Sequence, residues 1–267
     1  MWGRQATRET CGRAVGSDVE MIAWWSMNAR IWSQRRRLLG AWLRDRRQFS
    51  EPRLARTCPI CGYGGVFIGA GKPPRWDARC PNCGSRERHR LLHLWITEGE
   101  GDKLTSQRIL HFAPEKVMLQ RMRDDPLYET ADLRRPGVTH RVDITRTGLP
   151  GATYDVIIAN HVLEHVDDDR QALRELFRLL KPAGLALLTV PVNASREETY
   201  ENPAITTPAE RHAHFSDADH RRYYGLDFAS RLAEAGFMVE TFRLSPDREV
   251  RYGLLRDEWL YVAHKSP

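Results

Sequence analysis

Four of the five cysteines in this chain of 267 residues form two matching Cys-Pro-x-Cys-Gly segments. The first pair is Cys58 and Cys61, and the second is Cys80 and Cys83. Each pair can present two thiolates from a tight turn, and four thiolates make the tetrahedral ligand set that zinc prefers. The interval between the pairs fits known four-cysteine zinc sites. We therefore predict a closed, structural zinc (Zn²⁺) site, with Cys11 left free.

Two other uses of these cysteines, a redox pair or a disulfide, are disfavoured because the two pairs match each other. The segment is rich in glycine and proline and buries little apolar surface, so metal binding would supply its folding free energy. The arginines that follow, Arg86, Arg88 and Arg90, either receive a phosphate or carboxylate or lie on a solvated helix face. The second interpretation is favoured, with the apolar residues between 91 and 95 packed inward.

Positive charge is concentrated at the N-terminal end of the chain. Residues 1–56 contain twelve arginines, no lysine and five acidic residues, whereas the remaining residues have a formal charge of −1. Arginines and tryptophans at helical spacing are typical either of a membrane-surface or nucleic-acid contact or of a helix that packs on its own domain. Packing, or a poorly ordered extension, is favoured, with nucleic-acid contact or peripheral membrane contact through the tail as the alternative. Without an apolar run that could span a bilayer or a secretory leader, a cytoplasmic location is expected.

The chain divides into a basic extension (1–56), a zinc-binding module (57–90) and a larger region (91–267). In the larger region short apolar runs alternate with helical stretches, which predicts an α/β fold with a doubly wound, mainly parallel sheet. The predicted strands lie within residues 106–113, 127–133, 138–145, 153–162, 184–192, 238–245 and 258–265. The predicted helices lie within residues 114–125, 167–181 and 226–237.

A more specific pattern occupies residues 154–192, YDVIIANHVLEHVDDDRQALRELFRLLKPAGLALLTVPV. It combines a buried strand that ends in Asn160-His161, an LEHV turn, and a periodic helix closed by Pro-Ala-Gly. This pattern resembles the second half of a class I S-adenosylmethionine (SAM)-dependent methyltransferase of the type 11-like group. The resemblance covers residues 108–265 and implies a Rossmann-like methyltransferase fold, with ligands at the carboxyl ends of the parallel strands.

The resemblance also implies which residues contact the cofactor. Asp132 ends the second predicted strand, where an acidic side chain accepts the ribose hydroxyls. Asp143 and Ile144 would flank the adenine, and Asn160 and His161 would contact the methionine part. The residues that replace the family's glycine-rich turn are His111, Ala113, Pro114 and Glu115.

This turn departs from the family pattern, which has Gly-x-Gly where the chain has Ala113-Pro114-Glu115. Glycine lets the backbone approach a cofactor closely, and proline has no N–H to donate. The departure leaves two alternatives open: a doubly wound fold that binds another ligand, and a non-catalytic scaffold that has kept the fold.

Residues 193–225 form a long insert after the fifth strand, and loops of this length are usually functional. In folds of this type such an insert closes over the acceptor pocket. A hydroxyl or amine acceptor must lose a proton during methyl transfer, and histidine suits this role near neutral pH. The catalytic candidates, in order of preference, are His214, His220 and His161, with Asp219 as an orienting group.

The leading hypothesis is a SAM-dependent methyltransferase that acts on an oxygen or nitrogen of a small molecule, such as a sugar or natural product. The near-neutral charge outside the extension disfavours a long phosphate-lined groove. The second hypothesis is an RNA methyltransferase that grips RNA with the zinc module and the basic tail. A scaffold protein without catalytic activity is the third.

Overall fold

The computed structural model describes Arg36, Leu39, Leu104 and residues 54–71, 75–99, 106–256 and 258–267. Residues 52–267 form one compact unit. The amphipathic helix predicted in the N-terminal extension lies outside the described residues, apart from Arg36 and Leu39. None of the helices within the described ranges has both the length and the apolar character needed to cross a bilayer.

The cysteine-containing segment folds as short strands around two tight turns and ends in a helix. Its strands are β1 (Arg56–Thr57), β2 (Gly64–Gly65), β3 (Ile68–Ala70) and β4 (Arg75–Arg79). Strands β1 and β2 pair on either side of the first cysteine pair, and the β3–β4 hairpin leads directly into the second. Helix α1 (Glu87–Leu94) follows and continues as a π-helical turn at Trp95–Gly99.

The rest of the chain alternates between strands and helices, as the sequence predicts. The strands are β5 (Ile109–Phe112), β6 (Tyr128–Ala131), β7 (Tyr154–Asn160), β8 (Leu180–Thr189), β9 (Tyr200–Glu201), β10 (Arg222–Tyr223), β11 (Met238–Phe242) and β12 (Leu260–His264). The helices are α2 (Lys116–Met122), α3 (Asp169–Leu179), α4 (Pro208–Phe215), α5 (Phe228–Glu234) and α6 (Pro246–Tyr252), with a 3₁₀ turn at Leu163–His165.

Six of these strands form one sheet in the order β11-β12-β8-β7-β5-β6. Strands β6, β5, β7 and β8 are parallel neighbours, and β12 runs antiparallel to both β8 and β11. The predicted doubly wound, mainly parallel sheet is thus confirmed. Strand β5 lies between β6 and β7, so the strand order reverses there, and the ligand crevice of such a sheet opens at the carboxyl ends of these strands.

The strand predicted over residues 138–145 is wrong, because this segment makes only isolated bridges. Its backbone pairs with the end of β6: the Asp132 N–H donates to the His140 carbonyl (3.1 Å), and the Val142 N–H donates to the Asp132 carbonyl (3.2 Å). The Asp143 carboxylate then accepts the Thr145 N–H (2.8 Å) and bends the chain into a turn. Aspartate favours such local turns over extended pairing.

Both faces of the sheet are covered, since successive residues of a strand point to opposite faces. One apolar cluster contains Leu110 and Ile157 and packs against helices α3 and α5. The other contains Ile109 and Ile158 and packs against α1, α2 and Phe67 of the cysteine segment. The cysteine segment therefore shares a core with the sheet.

Arg90, on helix α1, is fully buried and holds the cysteine segment against the end of α6. Its guanidinium donates to the backbone carbonyls of Ala78, Ser85, Tyr252 and Gly253. It also lies over the ring of Phe67, at 4.8 Å from the ring centroid. The predicted solvated helix face is therefore wrong for Arg90, because its rigid fork supplies the donors that buried carbonyls need. The apolar residues between 91 and 95 are buried, as expected.

Replacing Arg90 by methionine is expected to lower the free energy of unfolding by about 3–5 kcal/mol, because four buried carbonyls lose their donor. Urea denaturation measures the effect. Arg123→Met is the matched control, since the Arg123 side chain is 67% exposed, and it should change the free energy by less than about 0.5 kcal/mol. Equal losses in the two variants would contradict the anchoring role of Arg90.

Candidate active site

The carboxyl ends of three parallel strands bring the predicted cofactor residues to one edge of the sheet. Ala113 follows β5, Asp132 follows β6, and Asn160 is the last residue of β7. The residues that precede these three pair with one another in parallel register. Residues from three separate segments therefore lie at one edge of the sheet, as the sequence predicts.

Asp132 is held in place by the backbone that follows it. Its Oδ1 accepts the N–H groups of Arg134 (2.7 Å) and Arg135 (2.8 Å). Its Oδ2 accepts no hydrogen bond from any described residue. A fixed carboxylate with one oxygen available, at the end of the second strand, is suited to bind ribose hydroxyls.

Asp143 and Ile144 lie in the loop that replaces the predicted third strand. Asp143 is exposed, and its Oδ1 accepts both the N–H and the hydroxyl of Thr145 at 2.8 Å. Ile144 is 5% exposed and belongs to the apolar cluster beside α3. One acidic and one apolar side chain thus lie next to each other in the loop that pairs with the end of β6.

The turn after β5 has a backbone conformation that normally favours glycine. Ala113 has a φ of +47°, a left-handed conformation that costs an L-residue about 1–2 kcal/mol. Its N–H donates to the Ala131 carbonyl (2.8 Å), and the Arg135 guanidinium donates to the carbonyl of Pro114. The chain therefore keeps the geometry of a glycine turn with a small alanine in its place.

The carboxylate of Glu115 links this turn to helix α1. Its Oε2 lies 3.1 Å from Nε2 of His111, and its Oε1 lies 3.5 Å from both Nε of Arg88 and Nε2 of His89. His111 is fully buried, and its Nδ1 makes a 2.8 Å hydrogen bond with the Tyr128 hydroxyl. Two residues predicted to contact the cofactor, His111 and Glu115, thus join the turn to the cysteine segment.

The pKa values of Glu115 and His89 both fall at this junction, but for different reasons. Burial alone acts to raise the pKa of Glu115, but the contact with His111 and the charge of Arg88 outweigh it and lower that pKa to about 2. Burial is the main cause of the fall in the pKa of His89 to about 3. The His89 ring accepts the Arg86 N–H at Nδ1 (3.2 Å), so Nε2 carries the proton that faces Glu115.

Asn160 and His161 end the central strand β7 with two unusual features. Asn160 is 3% exposed, and its Oδ1 accepts the Thr189 hydroxyl (3.1 Å), whereas its Nδ2 has no hydrogen-bond partner among the described residues. A buried amide without an acceptor is costly, and a carboxylate or carbonyl of a ligand would satisfy it. His161 has a φ of +52°, and backbone strain of this kind concentrates at functional sites.

A cluster of one glutamate and three histidines lies beside this strand end. Glu164, in the 3₁₀ turn, is fully buried, and its Oε1 lies 3.0 Å from Nδ1 of His161. His220, from the insert, meets His165 edge-to-face with ring centroids 4.8 Å apart. Burial alone would raise the pKa of Glu164, but the contact with His161 outweighs it and the pKa falls.

Arg222 fixes the insert that supplies His220. Arg222 is buried, with 3% of the residue exposed. Its guanidinium donates to the carbonyls of Leu163 (2.9 Å), Val166 (2.7 Å) and Asp167 (2.8 Å) and to the Glu201 carboxylate (2.9 Å). Strands β9 and β10 pair antiparallel within the insert. The insert at 193–225 is therefore a structured element that includes a hairpin and helix α4, and it docks on the 3₁₀ turn.

The other two catalytic candidates have different surroundings. His214 is exposed on α4, and its Nδ1 makes a 2.8 Å hydrogen bond with the Tyr200 hydroxyl. Asp219 is exposed, and its N–H donates to the carboxylate of Asp217 (3.0 Å). The structure thus brings His161 and His220 to the strand end. His214, ranked first from the sequence, is instead exposed on helix α4.

Sequence reasoning missed Glu164 and His165 as site residues, although both lie in the LEHV turn. The signal was available: His161 and Glu164 are three residues apart, the spacing at which side chains meet on a helical turn. The ring contact between His165 and His220 joins positions far apart in the chain. That contact follows from the docking of the insert and has no local signature.

The four cysteines of the two pairs converge as predicted. Their sulfur atoms lie within 4.8 Å of one another, with Cys58 and Cys83 at 3.6 Å and Cys61 and Cys80 at 3.7 Å. Four sulfurs about 2.3 Å from a zinc ion are about 3.8 Å apart in a tetrahedron, so these residues fit the ion. The glycine that follows each pair has a positive φ (72° and 76°), which only glycine adopts without strain.

The sheet order, the acidic residue after the second strand and the polar groups after the central strand define an α/β enzyme that binds a nucleoside cofactor. The protein family described as "Methyltransferase domain" matches residues 31–241. The chain belongs to this family, and it is a SAM-dependent methyltransferase.

Individual proteins with similar chains were also found. Two ubiquinone/menaquinone biosynthesis C-methyltransferases of Klebsiella pneumoniae strains are each 26% identical over 192 residues, covering 68% of this chain and 70% of theirs. The solved structure of YcgJ from Bacillus subtilis has a TM-score of 0.46 at 16% identity, covering 67% of this chain and 99% of that one. A Burkholderia thailandensis 1,6-didemethyltoxoflavin-N1-methyltransferase, solved with its substrate and S-adenosylhomocysteine, has a TM-score of 0.44 at 17% identity, covering 67% and 84%.

The pKa of Glu115 gives a pH dependence of stability. Its folded-state pKa of about 2 lies below the ordinary value of 4.5, so the carboxylate contributes stability above pH 4.5 that is lost as the pH falls toward 2. Glu115→Gln should therefore lower the free energy of unfolding by about 3 kcal/mol at neutral pH, and by progressively less below pH 4.5. Urea denaturation at a series of pH values measures the difference between variant and wild type. Asp124→Asn, whose native side chain is 89% exposed, is the control, and a pH-independent difference for Glu115→Gln would contradict the pairing.

Proposed function

We propose that this enzyme transfers the methyl group of SAM to an oxygen or nitrogen atom of a small-molecule acceptor. The observation that carries the proposal is the 3.0 Å contact between His161 and the buried Glu164 at the carboxyl end of β7. A buried carboxylate that orients a histidine is a recurrent arrangement for a general base. The base lies at the strand end where the cofactor's methionine part is expected.

The proposed cofactor site uses polar atoms that have no hydrogen-bond partner among the described residues. Oδ2 of Asp132 would accept a ribose hydroxyl, and Nδ2 of Asn160 would donate to the amino-acid end of the cofactor. Asp143 and Ile144 would flank the adenine, and the alanine turn at Ala113 would let the backbone approach. When bound, SAM supplies an electrophilic methyl group on its sulfonium and leaves as S-adenosylhomocysteine.

In this proposal His161 orients the acceptor and takes its proton. Nδ1 of His161 faces Glu164, so Nε2 is the nitrogen available to an acceptor O–H or N–H group. The carboxylate of Glu164 stabilises the imidazolium that forms, while the acceptor's electron pair makes the new bond to the methyl carbon. A positioned base of this kind contributes about 10²–10⁴-fold to the rate.

Charge and similarity support a small acceptor. Outside the basic extension the chain has a formal charge of −1, whereas phosphate-rich partners are bound through clustered positive charge. The Klebsiella relatives are named for ubiquinone and menaquinone biosynthesis. The insert docked by Arg222 would close over such an acceptor. The alternative is an RNA acceptor, held by the extension and the cysteine segment. The label-transfer experiment described below distinguishes it from a small-molecule acceptor.

Asp132→Asn is expected to weaken the binding of S-adenosylhomocysteine by about 10- to 100-fold, because the ribose hydroxyls lose a charged acceptor. Isothermal titration calorimetry measures the affinity. Asp124→Asn is the matched control, since the Asp124 side chain is 89% exposed, and it should bind like the wild type. Identical affinity in the two variants would contradict the role of Asp132.

The acceptor class is tested by transfer of label from methyl-labelled SAM. Wild-type enzyme is incubated with a mixture of hydroxylated and amine-bearing small molecules, or with bulk RNA. Label in the small-molecule fraction that falls sharply in His161→Asn, measured with SAM at saturating concentration for each variant, supports the proposal. Label in RNA alone overturns the small-molecule acceptor, whereas wild-type affinity for S-adenosylhomocysteine in Asp132→Asn overturns the assigned cofactor site.

We further propose that the four-cysteine cluster holds a structural zinc ion. The sulfur separations fit a tetrahedral ion, and the four thiolates occupy all of its positions. Helix α1 follows the second cysteine pair directly and carries Arg88 and His89, which meet Glu115. The ion would therefore support the cofactor turn without entering the chemistry.

Cys80→Ser should remove the bound zinc and lower the stability of the whole unit by several kcal/mol, because the cysteine segment shares an apolar cluster with the sheet. Zinc content is measured by elemental analysis, and stability by thermal unfolding. Cys11→Ser is the matched control and should retain one zinc per chain. Full zinc content in Cys80→Ser would show that the ligand assignment is wrong.

A further inference from the structure

Glu164, His165 and His220 form a cluster beside the proposed base, His161. This cluster contains acceptor atoms that proton transfer by His161 does not use. Oε2 of Glu164 and Nδ1 of His220 are buried and have no hydrogen-bond partner among the described residues. Oε1 of Glu164 faces Nδ1 of His161 at 3.0 Å. One ligand atom from each of the three residues lies within 4.8 Å of the other two. Buried acceptors without donors are costly, and a cation bound by the three residues would compensate those of Glu164 and His220.

We propose that Glu164, His165 and His220 bind a divalent transition-metal ion, such as Mn²⁺, Fe²⁺ or Co²⁺, beside the acceptor site. Two imidazoles and one carboxylate form a ligand set that suits these ions and leaves coordination positions open. Bonds of about 2.1 Å would bring the three ligand atoms to roughly 3–3.5 Å from one another. The side chain of His165 is exposed, so its ring can rotate to close this gap.

The neighbouring cations are already engaged elsewhere, which leaves the charge of Glu164 incompletely compensated. The guanidinium of Arg222 is taken up by backbone carbonyls and by Glu201. Arg221 pairs with Asp167 at 3.2 Å. His161 is the one basic side chain of the described residues in ion-pair contact with Glu164. A second positive charge at the free side of this carboxylate is therefore favourable.

The proposed ion deepens the proposed function and rests on it, because it would act on the acceptor. An acceptor hydroxyl bound at an open position would lose its proton more readily, since a divalent cation lowers the pKa of a coordinated hydroxyl. The proton passes to His161, the oxygen forms a bond to the methyl carbon, and the carbon–sulfur bond breaks. The ion keeps its oxidation state throughout. This site selects acceptors with two adjacent oxygen ligands, such as vicinal diols, catechols or hydroxy acids.

Titration of the full-length, zinc-loaded protein with Mn²⁺ tests the site. Mn²⁺ prefers nitrogen and oxygen ligands over thiolates, so it does not compete at the four cysteines. Loss of the electron paramagnetic resonance signal of free aqueous Mn²⁺ reports binding. We expect one Mn²⁺ per chain, with His165→Asn and His220→Asn each weakening the affinity by about tenfold or more. His214→Asn is the matched control, because His214 is an exposed histidine of the same insert bonded to Tyr200, and its affinity should be unchanged.

Zinc content and affinity for S-adenosylhomocysteine are measured for every variant, so that misfolding is recognised separately from ligand loss. Absence of Mn²⁺ binding at millimolar concentration, or equal binding by wild type, His165→Asn and His220→Asn, overturns the metal site. Methyl transfer by metal-free enzyme together with absent Mn²⁺ binding would overturn the metal site alone. Absence of cofactor binding with intact Mn²⁺ binding would instead overturn the proposed function.

Discussion

The carboxylate of Glu115 is the constraint on which the cofactor edge depends. It is buried between His111, which belongs to the first strand of the sheet, and Arg88 and His89, which belong to the helix after the second cysteine pair. A buried carboxylate is stable only with compensating partners nearby, so both segments are held where the strand ends. Ala113, two residues before Glu115, has a left-handed backbone conformation. The contacts of Glu115 help to hold this strained conformation in place.

A second buried carboxylate organises the acceptor side of the same edge. Glu164 lies in the turn after the central strand, and Arg222 holds the insert against the carbonyls of that turn. The insert thereby places His220 against His165, and the end of β7 places His161 against Glu164. The cofactor side and the acceptor side of this edge thus share one constraint. A buried glutamate on each side requires basic side chains close to its carboxylate.

Local patterns in the sequence foretold most of the sheet and the cysteine cluster, because apolar periodicity and paired cysteines are local signals. The strand over 138–145 failed because an aspartate turn competes with extended pairing, which periodicity does not register. The burial of Arg90 was not predicted because two of its four carbonyl partners, Tyr252 and Gly253, lie more than 160 positions away. The choice of His220 over His214 likewise depends on how the insert docks, and docking is a property of tertiary packing.

The shared apolar cluster and the Arg90 anchor have a consequence for how this protein can be inherited or engineered. A cassette cut at residue 90 would divide helix α1 and would remove Cys58, Ile60, Phe67 and Cys80 from the apolar cluster that contains Ile109 and Ile158. Recombination with other methyltransferases should therefore succeed with a junction near residue 52, where the compact unit begins. The cysteine segment and the sheet therefore have to be exchanged as one unit, because they share one apolar cluster.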